Sequence, residues 1–319
     1  MQIYTRLLFL SFTIGLLYGC GGDTNEDYQE DDPQQSAVRK KSLTDTSQKA
    51  SSAEVEVKQV APFADFPLAP TQAQVGDYVL TFSLKGQQEA TRMGADQVTF
   101  TFQQARMHLP GKARSVLIFE KGQKKSIPNY MIIPLTEVPD IQEGDILLGW
   151  WSSRKEMQRC LVTDASDPQR PKVRYLDIRY NDPSRDRQGR PVGRMEEALA
   201  PKSFTKLLAT GVPGSTLAVR EGNRFKKATV VTQHQEKILA IGFAGHMQVY
   251  DTSRCRALPI VPNVKVGEAV QVPYIGIYVK GKVKKIDTRL GRVFTEIQYG
   301  GKKKMVAVPF GDVATDLSL

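Results

Sequence analysis

The chain carries three histidines, His108, His234 and His246, and none of them has another histidine or a cysteine at metal-ligand spacing. There is no Gly-x-Ser-x-Gly elbow and no dinucleotide fingerprint. Gly111-Lys112 and Gly281-Lys282 are not followed by the Ser or Thr of a phosphate loop. Asp145, Asp164 and Asp177 are carboxylates whose pairing would support acid–base work, although acids in the loops of small β-domains are commonly solvated. No catalytic residue, metal or cofactor is therefore expected. The first reading is a binding or scaffold protein, and an envelope hydrolase with an unrecognised site is the alternative.

Cations are the chemistry present in quantity. The polar loop Asn181–Arg194 holds Arg185, Arg187, Arg190 and Arg194, and guanidinium groups suit planar anions such as phosphate or carboxylate. A solvated surface loop is the simpler alternative. Near the carboxyl end, Lys282, Lys284 and Lys285 are followed by Lys302, Lys303 and Lys304. On neighbouring strands of one hairpin they would form a single anion-binding patch.

The charge is unevenly spread. Residues 20–74 hold 10 acids and 5 bases, whereas residues 75–319 hold 38 bases and 24 acids, a net of +14. A basic body behind an acidic leader points to an anionic partner or surface, or else simply keeps the body soluble. Peptidoglycan, lipopolysaccharide and nucleic acid are the polymers of that charge, and an envelope protein is the other kind of partner.

The partners follow from the amino end. Met1–Arg6 ends in a positive charge, and Leu7 to Leu17 is almost wholly apolar. That run is too short for a spanning helix, which needs about 20 residues, and suits the core of a secretion signal. The next residues, Leu17-Tyr18-Gly19-Cys20, resemble the lipobox of bacterial lipoproteins. The resemblance implies a signal peptide over 1–19 and a diacylglyceryl group on the Cys20 thiol. It also implies cleavage before Cys20, acylation of the new amine and attachment to a membrane through that lipid. Tyr18 is bulkier than the usual occupant of its position. Gly21 stands where an aspartate would mark inner-membrane retention in enteric bacteria, which leans towards the outer membrane. Two acyl chains or more give stable anchoring. Once Cys20 is lipidated, Cys160 and Cys255 remain, either as a disulfide of an oxidising compartment or as two buried thiols.

Residues 20–74 are polar, with six acids in Asp23–Asp32, and read as a disordered tether. Beyond it, four segments open alike: Val75-Gly76-Asp77, Glu143-Gly144-Asp145, Pro213-Gly214-Ser215 and Val266-Gly267-Glu268, each leading into a β-rich run. The units expected are 75–138, irregular, then 143–181, 210–260 and 264–316. Units two and four resemble Tudor or agenet modules of the SH3-like barrel group, on Gly-Asp or Gly-Glu, a strand, a basic second strand, and Val173-Arg174-Tyr175 or Glu296-Ile297-Gln298-Tyr299. Such modules often hold a cationic side chain in an aromatic cage. The resemblance places Trp150, Trp151 and Tyr175 at that cage, with Met157 and Ile178 where further rings would stand, and Tyr274, Tyr278 and Tyr299 in the last unit. Core or rim packing is the other use for these rings.

Between units two and three, 182–209 is expected to hold the arginine loop and the main helix, Met195–Ala209, split by Pro201. The fold class expected is mainly β: tandem small SH3-like barrels after a disordered tether, with one short helical insertion.

Overall fold

Four Gly-led turns set the architecture. Gly76, Gly144, Gly214 and Gly267 all have φ near +90°, the left-handed region that favours glycine. Each donates its N–H to a carbonyl on the second strand that follows, on Met107, Val162, Val230 and Val283, at 2.8 to 3.0 Å. The next residue, Asp77, Asp145, Ser215 or Glu268, donates its own N–H three residues back. In three of the four, the acid side chain also accepts from that earlier residue's N–H, at 2.7 or 2.8 Å. Ser215 instead donates its hydroxyl to Val212 O.

The computed structural model describes residues 62–318 apart from 137–139, 152–153, 181–184, 186–188, 190 and 192–194. All of them lie in one unit, Glu56–Leu319; the expected signal, Cys20 and residues 21–61 of the expected tether lie outside the described residues. The end of that tether is not a disordered spacer: Phe63, Phe66, Ala69 and Ala73 are buried against the first repeat, because these apolar side chains find a core to cover. The fold is mainly β with one short α-helix among those residues.

Each turn opens the same antiparallel run, of five strands in the first three repeats and four in the last. In the first repeat, β1 (Tyr78–Phe82), β2 (Phe102–Leu109), β3 (Arg114–Ile118), β4 (Lys124–Pro128) and β5 (Ile132–Pro134) are ordered β4-β3-β2-β1-β5. In the second, β6 (Ile146–Trp151), β7 (Glu156–Asp164), β8 (Lys172–Tyr175), β9 (Glu196–Ala198) and β10 (Phe204–Lys206) are ordered β10-β6-β7-β8-β9. The third uses β11 (Thr216–Glu221), β12 (Arg224–His234), β13 (Lys237–Ile241), β14 (Met247–Asp251) and β15 (Cys255–Ala257), with β15 again returning to the first strand. The fourth uses β16 (Ala269–Tyr274), β17 (Ile277–Asp287), β18 (Arg292–Tyr299) and β19 (Lys302–Pro309), and an isolated bridge from Ala314 to Gln271 stands where the fifth strand would be.

All four second strands shift register just after the glycine's partner, between Met107 and Leu109, Val162 and Asp164, Val230 and Thr232, and Val283 and Lys285. A bulge at that point increases the local twist and bends the strand. Repeats three and four are continuous, because β12 pairs β17 at Lys226 and Ile277.

The expected helix over 195–209 is instead two strands. The run Met-Glu-Glu-Ala-Leu-Ala has helix propensity, but pairing decides: β9 adds to β8 and β10 adds to β6. Met195, Leu199, Phe204 and Leu207 are thereby buried. Between the strands the chain turns at Ala200–Ser203, with Lys202 at φ +62° and the Ser203 hydroxyl donating to Ala200 O at 2.7 Å.

The α-helix, α1, is Leu84–Met93, between β1 and β2. Ser83 caps it by accepting from Gly86 N at 3.2 Å. Only Gly86 and Ala90 of this helix are buried, so its apolar stripe is too narrow to stand out in the sequence.

Candidate functional site

The second, third and fourth repeats converge on a buried knot of charge. Arg159, in the middle of β7, is 1% exposed. Its Nε donates to both carboxylate oxygens of Asp177 at 3.1 Å, Nη1 to Phe310 O at 3.0 Å, and Nη2 to Asp312 Oδ1 at 2.7 Å. Nη2 also reaches Asp177, whose other oxygen takes the Arg159 backbone N–H at 2.9 Å. Asp312 accepts in addition from Thr216 at 2.8 Å and from the Lys227 ammonium at 2.6 Å. Repeats two, three and four are thus tied through one guanidinium.

The chain makes room for it at Gly311, whose φ is +85°; a Cβ there would stand 2.2 Å from Arg159 Nη1. Burial alone would lower the Arg159 pKa, and Asp177 and Asp312 more than reverse this, so the group stays charged. Burial would raise Asp177, whereas Arg159 and Lys227 hold its carboxyl well below the usual carboxylate range. A second buried arginine, Arg292 on β18, donates to Ile178 O at 3.0 Å. Burial lowers its pKa to about 10 despite the pull of Asp177 and Asp312.

Above this knot lies a half-open cavity of about 460 Å³ lined by all four repeats. Thr99–Phe102 comes from the first, Glu156–Arg159 and Asp177 from the second, Lys227 and Ile241–Gly245 from the third, and Pro273 and Gly276 from the fourth. Its rim includes Phe243, exposed and held in a turn where Ala244 has φ +62°.

No known family model and no curated protein sequence matches the chain. Function has to be read from the side chains themselves.

The expected basic patch is not on neighbouring strands: its two clusters lie on β17 and β19 with β18 between them, and its lysines divide between the two faces of that three-stranded sheet. Lys282 stands opposite Glu296 across β17 and β18, and Lys284 and Lys303 both reach the Glu296 carboxylate, at 3.5 and 3.6 Å. These three lysines share one exposed face with a single acid between them. Lys285 instead pairs with Asp287 at 2.8 Å and lies over the Phe294 ring. Lys302 stands opposite Tyr299, and Lys304 opposite Ile297, on the other face. Lys304 donates to Tyr274 OH at 2.8 Å and sits 5.1 and 5.8 Å from the Tyr274 and Tyr299 ring centres. The two tyrosines meet edge to face at 4.8 Å. The aromatic pair of the last repeat therefore already holds a cation of its own chain, and Tyr278 is buried elsewhere, in the core.

In the second repeat Trp151 and Tyr175 are stacked at 4.9 Å in the core, both at 0% exposure. An incoming cation has no access to that pair, so the cage expected there is replaced by packing. Trp150 is half-buried and donates its indole N–H to Phe102 O at 3.3 Å, joining repeats one and two. Arg185 is exposed and donates to Gly189 O at 2.6 Å within its own loop; Arg187, Arg190 and Arg194 lie outside the described residues.

Cys160 and Cys255 are free thiols, both buried. Burial pushes Cys160 far up and Cys255 up to about 11, which keeps both protonated and unreactive near neutrality. Of the acids singled out in the sequence, each has found a cation: Asp145 pairs with Lys206 at 2.6 Å, Asp164 with Lys172 at 2.7 Å, and Asp177 with Arg159. Among the described residues no group of three His, Cys, Asp or Glu could hold a metal, and no helix is long and apolar enough to cross a membrane.

Sequence reasoning missed Arg159, Asp312, Lys227 and Arg292. The one signal was an arginine inside the apolar run Cys160-Leu161-Val162 and its neighbour Met157, since a charge inside a buried strand requires buried partners.

Proposed function

We propose that this chain is a lipid-anchored protein of the bacterial cell envelope, held through Cys20, whose tandem SH3-like repeats bind an anionic partner without turning it over. The address rests on the apolar run Leu7 to Leu17 followed by Leu17-Tyr18-Gly19-Cys20. The binding half is carried by one observation, the exposed face on which Lys282, Lys284 and Lys303 surround a single Glu296. The shared opening turn and the similar strand order of the repeats support an array of small barrels. A hydrolase working through paired carboxylates would need one of them to hold a proton near neutral pH. Arg159 and Lys227 keep Asp177 from being that acid.

Exposed ion pairs are worth about 0–1 kcal/mol each, and salt screens them over about 8 Å at physiological strength. Binding through this face therefore needs several contacts together and falls steeply as salt rises. The test uses long-chain polyphosphate as the probe, with peptidoglycan fragments and lipopolysaccharide vesicles as further arms. Wild-type protein binds at low salt, and the triple variant Lys282→Glu, Lys284→Glu, Lys303→Glu binds at least about tenfold more weakly. Reversal of the leader lysines Lys40 and Lys41 changes little. Absence of binding at low salt, or indifference to the triple reversal, removes this reading of the face. The anchor is tested separately: Cys20→Ser abolishes partition into detergent, and unchanged membrane attachment would refute it.

A further inference from the structure

The cavity where the four repeats meet is lined by Gln158, whose buried side-chain oxygen the fold leaves unsatisfied and which a small turn of the amide would present to a ligand. Gln158 is 6% exposed; its amide nitrogen donates to Glu156 Oε2 at 2.7 Å, while its Oε1 has no partner. A buried acceptor without a donor costs about 1–3 kcal/mol, a cost a bound donor would remove. The charges around it balance: two acids, Glu156 and Asp177, and two cations, Arg159 and Lys227, line the same space, with Arg159 bonded directly to Asp177. An anion there would meet the two carboxylates, and a cation would meet the ammonium and the guanidinium. Lys227 is committed to Asp312 at 2.6 Å but keeps a quarter of its side chain exposed, so it can still donate. A ligand that fits must therefore donate to Gln158, accept from Lys227 and carry no net charge. Hydroxyl groups do both. Phe243 supplies an apolar surface at the mouth, its ring lying against Gly276, where a Cβ would come within 3.0 Å of it. The volume, about 460 Å³, lies within the ordinary range of small-molecule sites.

We propose that this cavity binds an uncharged carbohydrate unit, with one hydroxyl donating to Gln158 Oε1, another accepting from Lys227, and the C–H face of the sugar against Phe243. The site is separate from the lysine face and does not rest on it. Its binding is insensitive to salt, where binding at the lysine face is not. The experiment uses the full chain in detergent with three neutral probes, the trimers of glucose in β-1,4 and α-1,4 linkage and of N-acetylglucosamine. Trimers of galacturonic acid and glucosamine are the charged counterparts. Titration is followed by calorimetry and by the emission of Trp150, whose indole is bonded to the cavity residue Phe102.

At least one neutral trimer binds, its affinity is unchanged by salt, and the charged trimers bind about tenfold more weakly or worse. Gln158→Met lowers the affinity about tenfold, the worth of one hydrogen bond at the upper end of its range. It also leaves the melting temperature unchanged or raised, because an unsatisfied acceptor is gone. Phe243→Ser, at an exposed position that does not hold the fold, weakens binding as well. The proposal is overturned if no neutral trimer binds, if a charged trimer binds more tightly, or if both variants keep wild-type affinity.

Discussion

Arg159 and Lys303 each reach carboxylates, yet they sit at opposite extremes of the same molecule. Arg159 is 1% exposed and every nitrogen of its guanidinium has a fixed partner, whereas Lys303 is 77% exposed and shares Glu296 with Lys284 at 3.6 Å. Out of water, a charge that loses its partner cannot recover hydration, so the buried knot is intolerant of single changes. On the hairpin face water replaces any lost partner, and the lysines are free to exchange Glu296 for something else. The comparison separates a place where charge holds repeats together from a place where charge is available for binding.

The largest effect should come from breaking the knot on one side. Asp312→Ala leaves Arg159 with one carboxylate and strips Lys227 and Thr216 of their shared acceptor. The expected loss is about 3–5 kcal/mol in denaturant unfolding. Arg159→Met combined with Asp312→Leu removes the charge pair together, and should cost at least about 1 kcal/mol less than the two single losses added. A loss below about 1 kcal/mol for Asp312→Ala would mean that the knot is hydrated and resembles the surface after all.

Next in size is Gly311→Ala. Its φ of +85° is strained for any side chain, and the new Cβ would displace Arg159 Nη1 from 2.2 Å. Such strain costs about 1–3 kcal/mol. Gly300, beside the lysine hairpin, has φ +59° and open space around it. Gly300→Ala should therefore cost no more than about 1 kcal/mol. Equal losses at the two glycines would show that backbone strain alone, and not the approach to Arg159, decides the cost at 311.

Which parts of this were legible in the sequence follows from the range of the interactions. The four turns were readable because Gly76, Gly144, Gly214 and Gly267 answer to a local requirement, a positive φ followed by a side chain that closes the turn. Strand-rich character was readable for the same reason. The segment 195–209 was not, because Glu196–Ala198 and Phe204–Lys206 are strands only by virtue of β8 and β6, distant in sequence. The knot was invisible as a set, since Arg159 and Asp312 stand 153 residues apart. Of the lysines, the sequence put both clusters in the last repeat but missed that β18 separates their strands. It did not foresee that side-chain alternation sends Lys304 to Tyr274 and Tyr299 and Lys303 to Glu296.

The pH dependence should follow the buried groups rather than the lysine face. Asp177 has its pKa depressed in the folded state, so its contribution is complete above the ordinary carboxylate range and is lost as pH falls through and below that range. Tyr130 and Tyr250 are raised by burial to about 12 from 10. Their contributions are complete below pH 10 and are lost between about 10 and 12, as the unfolded chain releases its phenolic protons first. Arg292, lowered to about 10, acts in the opposite sense over the alkaline range, since the unfolded chain holds that proton longer. Unfolding followed by tyrosinate absorbance should therefore set in above pH 10, and Tyr130→Phe should move the onset upward. An onset that ignores this change would show that Tyr130 does not govern alkaline stability.

The smallest effect on stability should accompany a gain in binding. Glu296 is the one acid among Lys282, Lys284 and Lys303, and two of these spend their charge on it at 3.5 and 3.6 Å. Glu296→Gln keeps the size and the hydrogen-bonding capacity of the side chain while removing its charge. Exposed pairs of this kind are worth about 0–1 kcal/mol, so the midpoint of unfolding should barely move. The potential of the face, however, rises by one charge at its centre, and both released ammonium groups become available to a polyanion. Polyphosphate should bind Glu296→Gln several-fold more tightly at low salt, with a steeper loss as salt rises, and the difference should vanish once screening shortens the Debye length to about 3 Å. The same substitution at Asp312, a carboxylate that also holds two cations, should destabilise the fold and confer no such gain. If Glu296→Gln instead destabilises as much as Asp312→Asn, or leaves polyphosphate affinity unchanged, the hairpin face is a structural ion-pair network like the one around Arg159, and the partner must engage another surface.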